Sequence, residues 1–237
     1  MKRLNDKVAI VTGGTGGLGK AVMSVFLAEG AFVLSTYRKD EELEACIGLR
    51  EEYKARVAFG KADVTKASNV SNVALKTIEK LSRIDILVNV AGGFAQSPLA
   101  DTDEEAWDRM MNMNLKSVFL CSKSVVPHMI GQGRGSIVNI ASRPALKGSP
   151  NLSAYGASKA GVLNLTQSMA EELREHNINV NAVIPGTIDT PANRAGMPDA
   201  DFSRWVAPED IARVIAFLCS DEAKSVSGAA VPVYGKS

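Results

Sequence analysis

Histidine and cysteine are scarce in this chain of 237 residues, with two of the first and three of the second. Cys46, Cys121 and Cys219 are odd in number and far apart, and they form no Cys-x-x-Cys pair. They read as reduced thiols of the core or surface. His128 and His176 each fall near an expected helix end, where a solvated or dipole-compensating role is the ordinary one, so no metal site is expected. Aromatic residues make up 5% of the chain without basic interleaving, and the formal net charge is +1, which argues against nucleic acid as a partner. Long apolar runs are missing as well. The N-terminal "MKRLNDKVAIVTGG" has one short apolar run ending at Thr12 and no cleavage-type sequence, so no membrane span and no secretory signal is expected, and the expected address is cytoplasmic. No internal repeat at a solenoid period and no low-complexity tract interrupts the chain.

What is present is the pattern of a globular α/β protein, with 46% hydrophobic and 22% charged residues. Short β-branched runs recur at 8–11, 32–34, 57–59, 84–88, 136–140, 179–184 and 230–233, and between most of them lie segments of helical period at 20–29, 68–81, 104–130, 154–175 and 208–218. Runs that are apolar without polar alternation belong to strands covered on both faces. The expected fold is therefore α/β, a single-domain Rossmann-like doubly wound parallel sheet of about seven strands with helices on both faces, spanning residues 1–237. Ligands of such sheets bind at the carboxyl ends of the strands. One segment, Pro185 to Ala207, reads as a long loop with three prolines, and its 187–207 portion reads as a substrate lid carrying Met197, Phe202 and Trp205.

Three local patterns carry chemistry. The first strand runs into "TGGTGGLG", where Gly13, Gly17 and Gly19 permit a tight turn and let a pyrophosphate approach a helix N-terminus; Thr15 and Leu18 share that turn. The second strand ends in Tyr37 and Arg38 rather than an acid, which favours the 2′-phosphate of NADP(H) over the free ribose of NAD(H), although Arg38 and Lys39 also fit a solvated helix start. In "SAYGASKAG", Tyr155 and Lys159 stand four apart among small residues, on one face of an expected helix that something large can approach.

Together with "NVAG" at Asn89 to Gly92, Asn114 in "MNMNLKS", Ser142 just past the strand "SIVNI", and "IPG" at Ile184 to Gly186, these motifs resemble the short-chain dehydrogenase/reductase family over nearly the whole chain. The resemblance implies an NAD(P)(H)-dependent oxidoreductase with a catalytic set of Asn114, Ser142, Tyr155 and Lys159. Tyr155 is the implied proton donor and acceptor, with Lys159 favouring its phenolate and holding the nicotinamide ribose. Ser142 orients the substrate oxygen, and the main-chain carbonyl of Asn114 holds a water of the proton relay. The resemblance adds Asp63 and Val64 near the adenine, Asn89, Ala91 and Gly92 at the central strands, and Pro185, Gly186, Ile188 and Thr190 around the carboxamide. Asp63 equally fits a turn former. A homodimer or homotetramer is the implied assembly.

The lid is uneven with the rest. "DTPANRAGMPDADFSRW" is similar to the corresponding segment of dihydropteridine reductases, which implies a quinonoid pterin as an alternative substrate to a small ketone or 3-oxoacyl thioester. Tyr37, Arg38 and Ser142 depart from that branch, and the ending "VYGKS" departs from the wider family. A dinucleotide sensor without turnover is the reading from another class, and the complete set of four catalytic positions opposes it.

Overall fold

Every residue of strand β1 (Val8–Thr12) is buried, and its side chains divide between two separate cores. Ala9 and Val11 face one, whereas Ile10 faces the other. The same division recurs in β4 (Ile86–Asn89), where Ile86 and Val88 oppose Leu87. That arrangement is what an apolar run without polar alternation requires, because both faces of the strand must be covered.

The computed structural model describes residues 2–236. Its remaining strands are β2 (Phe32–Tyr37), β3 (Val57–Lys61), β5 (Gly135–Ile140), β6 (Ile178–Pro185) and β7 (Ala230–Val233), and all seven pair in parallel in the order β3-β2-β1-β4-β5-β6-β7. Chain order reverses between β1 and β4, which opens a crevice at their carboxyl ends. Edge strands β3 and β7 are only partly covered, consistent with one open side each.

One face carries helices α1 (Gly17–Ala28) and α8 (Pro208–Leu218), whose Met23, Phe26, Leu27, Ile211 and Ile215 share one core. The short α2 (Ile47–Glu52) adds Leu49 to it. The other face carries α3 (Ala67–Leu81), α5 (Ser117–Gln132) and α6 (Ser153–Glu172), with Val73, Val125, Met129 and Met169 against Leu34, Leu87 and Ile137. Each such aliphatic side chain contributes about 1.5–3 kcal/mol on full burial, so the two cores dominate the stability of the sheet. Helix α8 begins and ends where its sequence predicts, since Pro208 presets the first turn and Glu209 and Asp210 complement the helix dipole.

Besides α2, which lies in none of the expected helical segments, two elements differ from expectation. The helix expected over 104–130 is two, α4 (Glu104–Met110) and α5, joined by a π turn at Met111–Lys116 that contains Asn114. The expected loop 185–207 holds a helix, α7 (Pro191–Gly196), and a 3-10 turn at Phe202–Arg204. Thr190 caps α7 by accepting from Asn193 N at 3.2 Å, with Pro191 at the first helical position. Among the described residues no helix is long and apolar enough to cross a membrane.

Candidate active site

A cleft of about 510 Å³ opens at the carboxyl ends of β1, β2 and β4, within the range of small-ligand sites. Its floor is the glycine turn. Gly13 adopts φ +65°, a left-handed conformation that side chains resist. A Cβ on Gly19 would lie 2.1 Å from the Gly13 carbonyl oxygen, so helix α1 starts this close to the strand only because residue 19 has no side chain. Hydroxyls hold the turn in register: Thr36 Oγ1 accepts from Gly13 N at 3.0 Å, and Thr12 Oγ1 accepts from Val90 N at 3.0 Å and Ala91 N at 3.1 Å. Gly19→Ala is expected to cost about 1–3 kcal/mol, because the clash is with backbone that cannot yield. Thermal unfolding should show a lowered Tm and calorimetry a weakened dinucleotide affinity, and a variant matching the parent in both would contradict this packing.

Eleven of the residues expected to bind cofactor line this cleft: Gly13, Thr15, Gly17, Leu18, Gly19, Tyr37, Arg38, Asp63, Val64, Ala91 and Gly92. Thr190 reaches it from the lid, since a Cβ on Gly17 would sit 2.7 Å from Thr190 Cγ2. Asn89 does not line it. That side chain is buried in the sheet, donating to Asn139 Oδ1 at 2.8 Å, and so ties β4 to β5. The Asp63 carboxylate accepts from Thr65 N at 2.9 Å and Thr65 Oγ1 at 2.7 Å, the turn-forming alternative, while still facing the cleft. Thr65 lowers its pKa most, burial opposes, and Arg38 contributes.

The second cluster adjoins the first through Gly92. A Cβ there would meet Asn114 Oδ1 at 2.7 Å and Lys159 Nζ at 3.6 Å. Helix α6 brings Tyr155 and Lys159 to one face, and its small residues allow close packing, with a Cβ on Gly161 only 2.7 Å from Leu115 in the π turn. Lys159 is buried and donates to Ile140 O at 2.7 Å. Asn114 accepts from Gly93 N at 2.9 Å and donates to Gly93 O and Ser158 Oγ, both at 3.1 Å. Its side chain thus fastens the 92–93 loop to α6, and it does so from within a π turn, a feature frequent at functional sites. Ser142, extended at the end of β5, hydrogen-bonds the Tyr155 phenol.

Electrostatics here depart from expectation. Burial pushes the Tyr155 phenol above its ordinary value, and the Ser142 hydrogen bond recovers only part of the rise. Burial pushes Lys159 itself down to about 8. A protonated phenol is the form that can donate a proton to an oxygen. The three cysteines are all buried, and burial raises each thiol, Cys121 and Cys219 to about 12, so none offers a thiolate.

The lid rises from β6. Gly186 N donates to Val233 O at 2.9 Å, Ile188 bridges to Val206, and Asp189 grips Arg194 at 2.5 and 2.7 Å. Phe202 and Trp205 pack with tilted rings 4.8 Å apart, Arg194 lies over the Phe202 ring, and Met197 is exposed. Phe94, which sequence reading missed, lies edge-on to Tyr155 at 5.0 Å and is 62% exposed. No periodic pattern marks an aromatic in the loop after β4. Glu42 and Met113 were likewise missed as cleft residues.

A doubly wound sheet with a glycine cradle at its switch point, beside a Ser, Tyr, Lys and Asn cluster, defines a dinucleotide-dependent oxidoreductase. The family model described as short chain dehydrogenase matches residues 7–200. The chain is 39% identical over 98% of both lengths to the 3-oxoacyl-[acyl-carrier-protein] reductase FabG of Thermotoga maritima. It is 34% identical to the cyclopentanol dehydrogenase of a Comamonas species, over 99% of this chain and 98% of that one. A crystallised protein of Burkholderia xenovorans assigned to the short-chain dehydrogenases/reductases superposes with a TM-score of 0.93 at 32% identity, covering 99% of this chain and 97% of that one. The protein belongs to the short-chain dehydrogenase/reductase family. It is an NAD(P)(H)-dependent oxidoreductase that moves hydride between nicotinamide and a carbonyl or alcohol of a small molecule.

Proposed function

We propose that the chain is an NADP(H)-preferring reductase of a small ketone or a 3-oxoacyl thioester, with Tyr155, Ser142, Lys159 and Asn114 as its working residues. The hydrogen bond between Ser142 and the Tyr155 phenol is the observation that carries this reading, because it aims two hydroxyls at one substrate oxygen. The glycine turn suits a pyrophosphate, since a Cβ at Gly19 would fill the space the backbone uses. Bound nicotinamide supplies the hydride. Tyr155 then gives its proton to the carbonyl oxygen, and Ser142 orients that oxygen and stabilises its growing charge. Lys159 and the π turn at Asn114 relay the replacement proton. In this reading Asn89 acts indirectly, through the β4–β5 bond, while Pro185, Gly186, Ile188 and Thr190 border the carboxamide.

Arg38 at the end of β2, with no acid at Tyr37, supports the NADP(H) preference. Arg38→Asp is expected to shift the ratio of NADPH to NADH affinity towards NADH by about tenfold or more, the worth of a charge-assisted contact. An unchanged ratio would remove Arg38 from the 2′-phosphate. Likeness to a 3-oxoacyl-[acyl-carrier-protein] reductase supports the thioester, and Phe94, Leu146 and Met197 supply exposed apolar surface for it. A quinonoid pterin is the second reading, favoured by the lid sequence and opposed by Ser142. Turnover with NADPH and NADH against 3-oxoacyl thioesters, simple ketones, sugars and quinonoid dihydropterin tests both. Reduction of the pterin alone would overturn the first.

Residues 1–237 read as one domain, supported by a sheet that draws strands from residue 8 to residue 233; the end residues Met1 and Ser237 lie outside those described. Exposed Trp107 and Phe119 on α4 and α5 support a homodimer or homotetramer.

A further inference from the structure

Glu42 stands in the wall of the cofactor cleft, in a 3-10 turn that follows β2. Its sequence context, "DEELE", is that of a solvated acidic face. The side chain nevertheless turns inward. Its Oε2 accepts from Thr15 Oγ1 at 2.9 Å and from Arg38 N at 3.1 Å. Burial pushes its carboxyl up, but hydrogen bonds from Arg38 N, Thr15 and Lys39 N, with the Arg38 guanidinium nearby, leave it lowered. The groups around this one carboxylate are therefore a hydroxyl, two successive main-chain N–H groups and a cation. Convergent donors of that kind make an anion-binding concavity.

Those donors lie in the glycine turn and at the end of β2, where the adenosine ribose of a dinucleotide is read. We propose that Glu42 is a specificity-determining residue whose carboxylate occupies the donors a 2′-phosphate would use, so that it competes with NADP(H) and leaves NAD(H) largely unaffected. The proposal rests on the reading that Arg38 faces the 2′-phosphate. A phosphate entering this corner must displace the carboxylate from Thr15 and the Arg38 amide, or sit against it with like charge. A free 2′-hydroxyl brings no charge and needs none of these donors. Arg38 thus attracts the phosphate while Glu42 opposes it, and Asp63, whose carboxylate also feels Arg38, adds to the opposition.

Direct calorimetric titration of the full chain with NADPH and with NADH tests this without relying on turnover. Glu42→Gln keeps the shape and removes the charge, and is expected to tighten NADPH about tenfold while NADH stays within about threefold. Raised salt should shrink the difference between parent and variant, because the corner is open to solvent. Glu42→Ala, which frees Thr15 and the Arg38 amide altogether, should tighten NADPH at least as much, and thermal unfolding checks that both variants are folded. Unchanged NADPH affinity in both folded variants overturns the proposal. So does an NADH affinity that falls about tenfold in Glu42→Gln, which would make Glu42 a ribose ligand. If the proposal fails while Arg38→Asp still shifts the nucleotide ratio, the NADP(H) reading stands; if neither moves the ratio, both fall.

Discussion

Tyr155→Phe is expected to lower kcat by about a hundred- to ten-thousand-fold, the range of general acid catalysis, while the dissociation constant of the nucleotide changes little. Phenylalanine preserves the ring that packs edge-on against Phe94 and removes only the hydroxyl that meets Ser142. The loss should therefore appear in kcat and kcat/KM alike, the signature of an interaction made in the transition state. Ser142→Ala in the same assay leaves the phenol in place without its partner, so it should cost less. A Tyr155→Phe enzyme retaining more than a few per cent of the parent rate would place the proton donor elsewhere.

Lys159→Met is expected to abolish useful turnover and at the same time stabilise the fold. The ammonium is buried and donates to Ile140 O, and burial holds it near pKa 8 where an exposed lysine stands at 10.5. Below pH 8 both folded and unfolded chains carry the proton, and the folded chain bears the full cost of the buried charge. Between about 8 and 10.5 the unfolded chain keeps the proton that the folded chain has released, so stability rises with pH across that window. The difference corresponds to about 3 kcal/mol. Methionine of similar length carries no charge, so the variant should gain stability at neutral pH and lose this part of the slope. Denaturant unfolding at several pH values measures it. An unchanged slope with reduced stability would mean that Lys159 is well solvated or paired, contrary to the buried geometry. Functional sites that cost stability in this way are common, because the group is kept for chemistry and not for packing.

Much of this was legible because the physics was local. Seven β-branched runs read as strands, and each became one strand of the sheet, the central ones covered on both faces and the edge strands β3 and β7 only in part. Pro208 fixed the start of α8. Tyr155 and Lys159 needed only helical spacing to share a face. What escaped depended on tertiary context or on signals masked by others. The π turn at 111–116 has ordinary helical periodicity, and the single hint was an asparagine in mid-helix, whose bonds to Gly93 and Ser158 come from distant segments. Thr190-Pro191 is a helix start, yet the three prolines of 185–207 read together as a loop. Burial is the larger influence on the Tyr155 phenol, and the spacing of Tyr155 and Lys159 along the sequence carries no sign of it. Glu42 lay in an acidic run where inward and outward side chains look alike.

Label transfer tests the central claim most directly. The full chain, a 3-oxoacyl thioester and NADPH deuterated on one face of its nicotinamide are mixed in a single turnover, and the alcohol product is weighed by mass spectrometry. Deuterium at the new carbinol carbon from one face and hydrogen from the other is the predicted result. Bound nucleotide that keeps its label, with no alcohol formed from any carbonyl of the panel, would leave a dinucleotide-binding protein without the reaction its tyrosine is placed to complete.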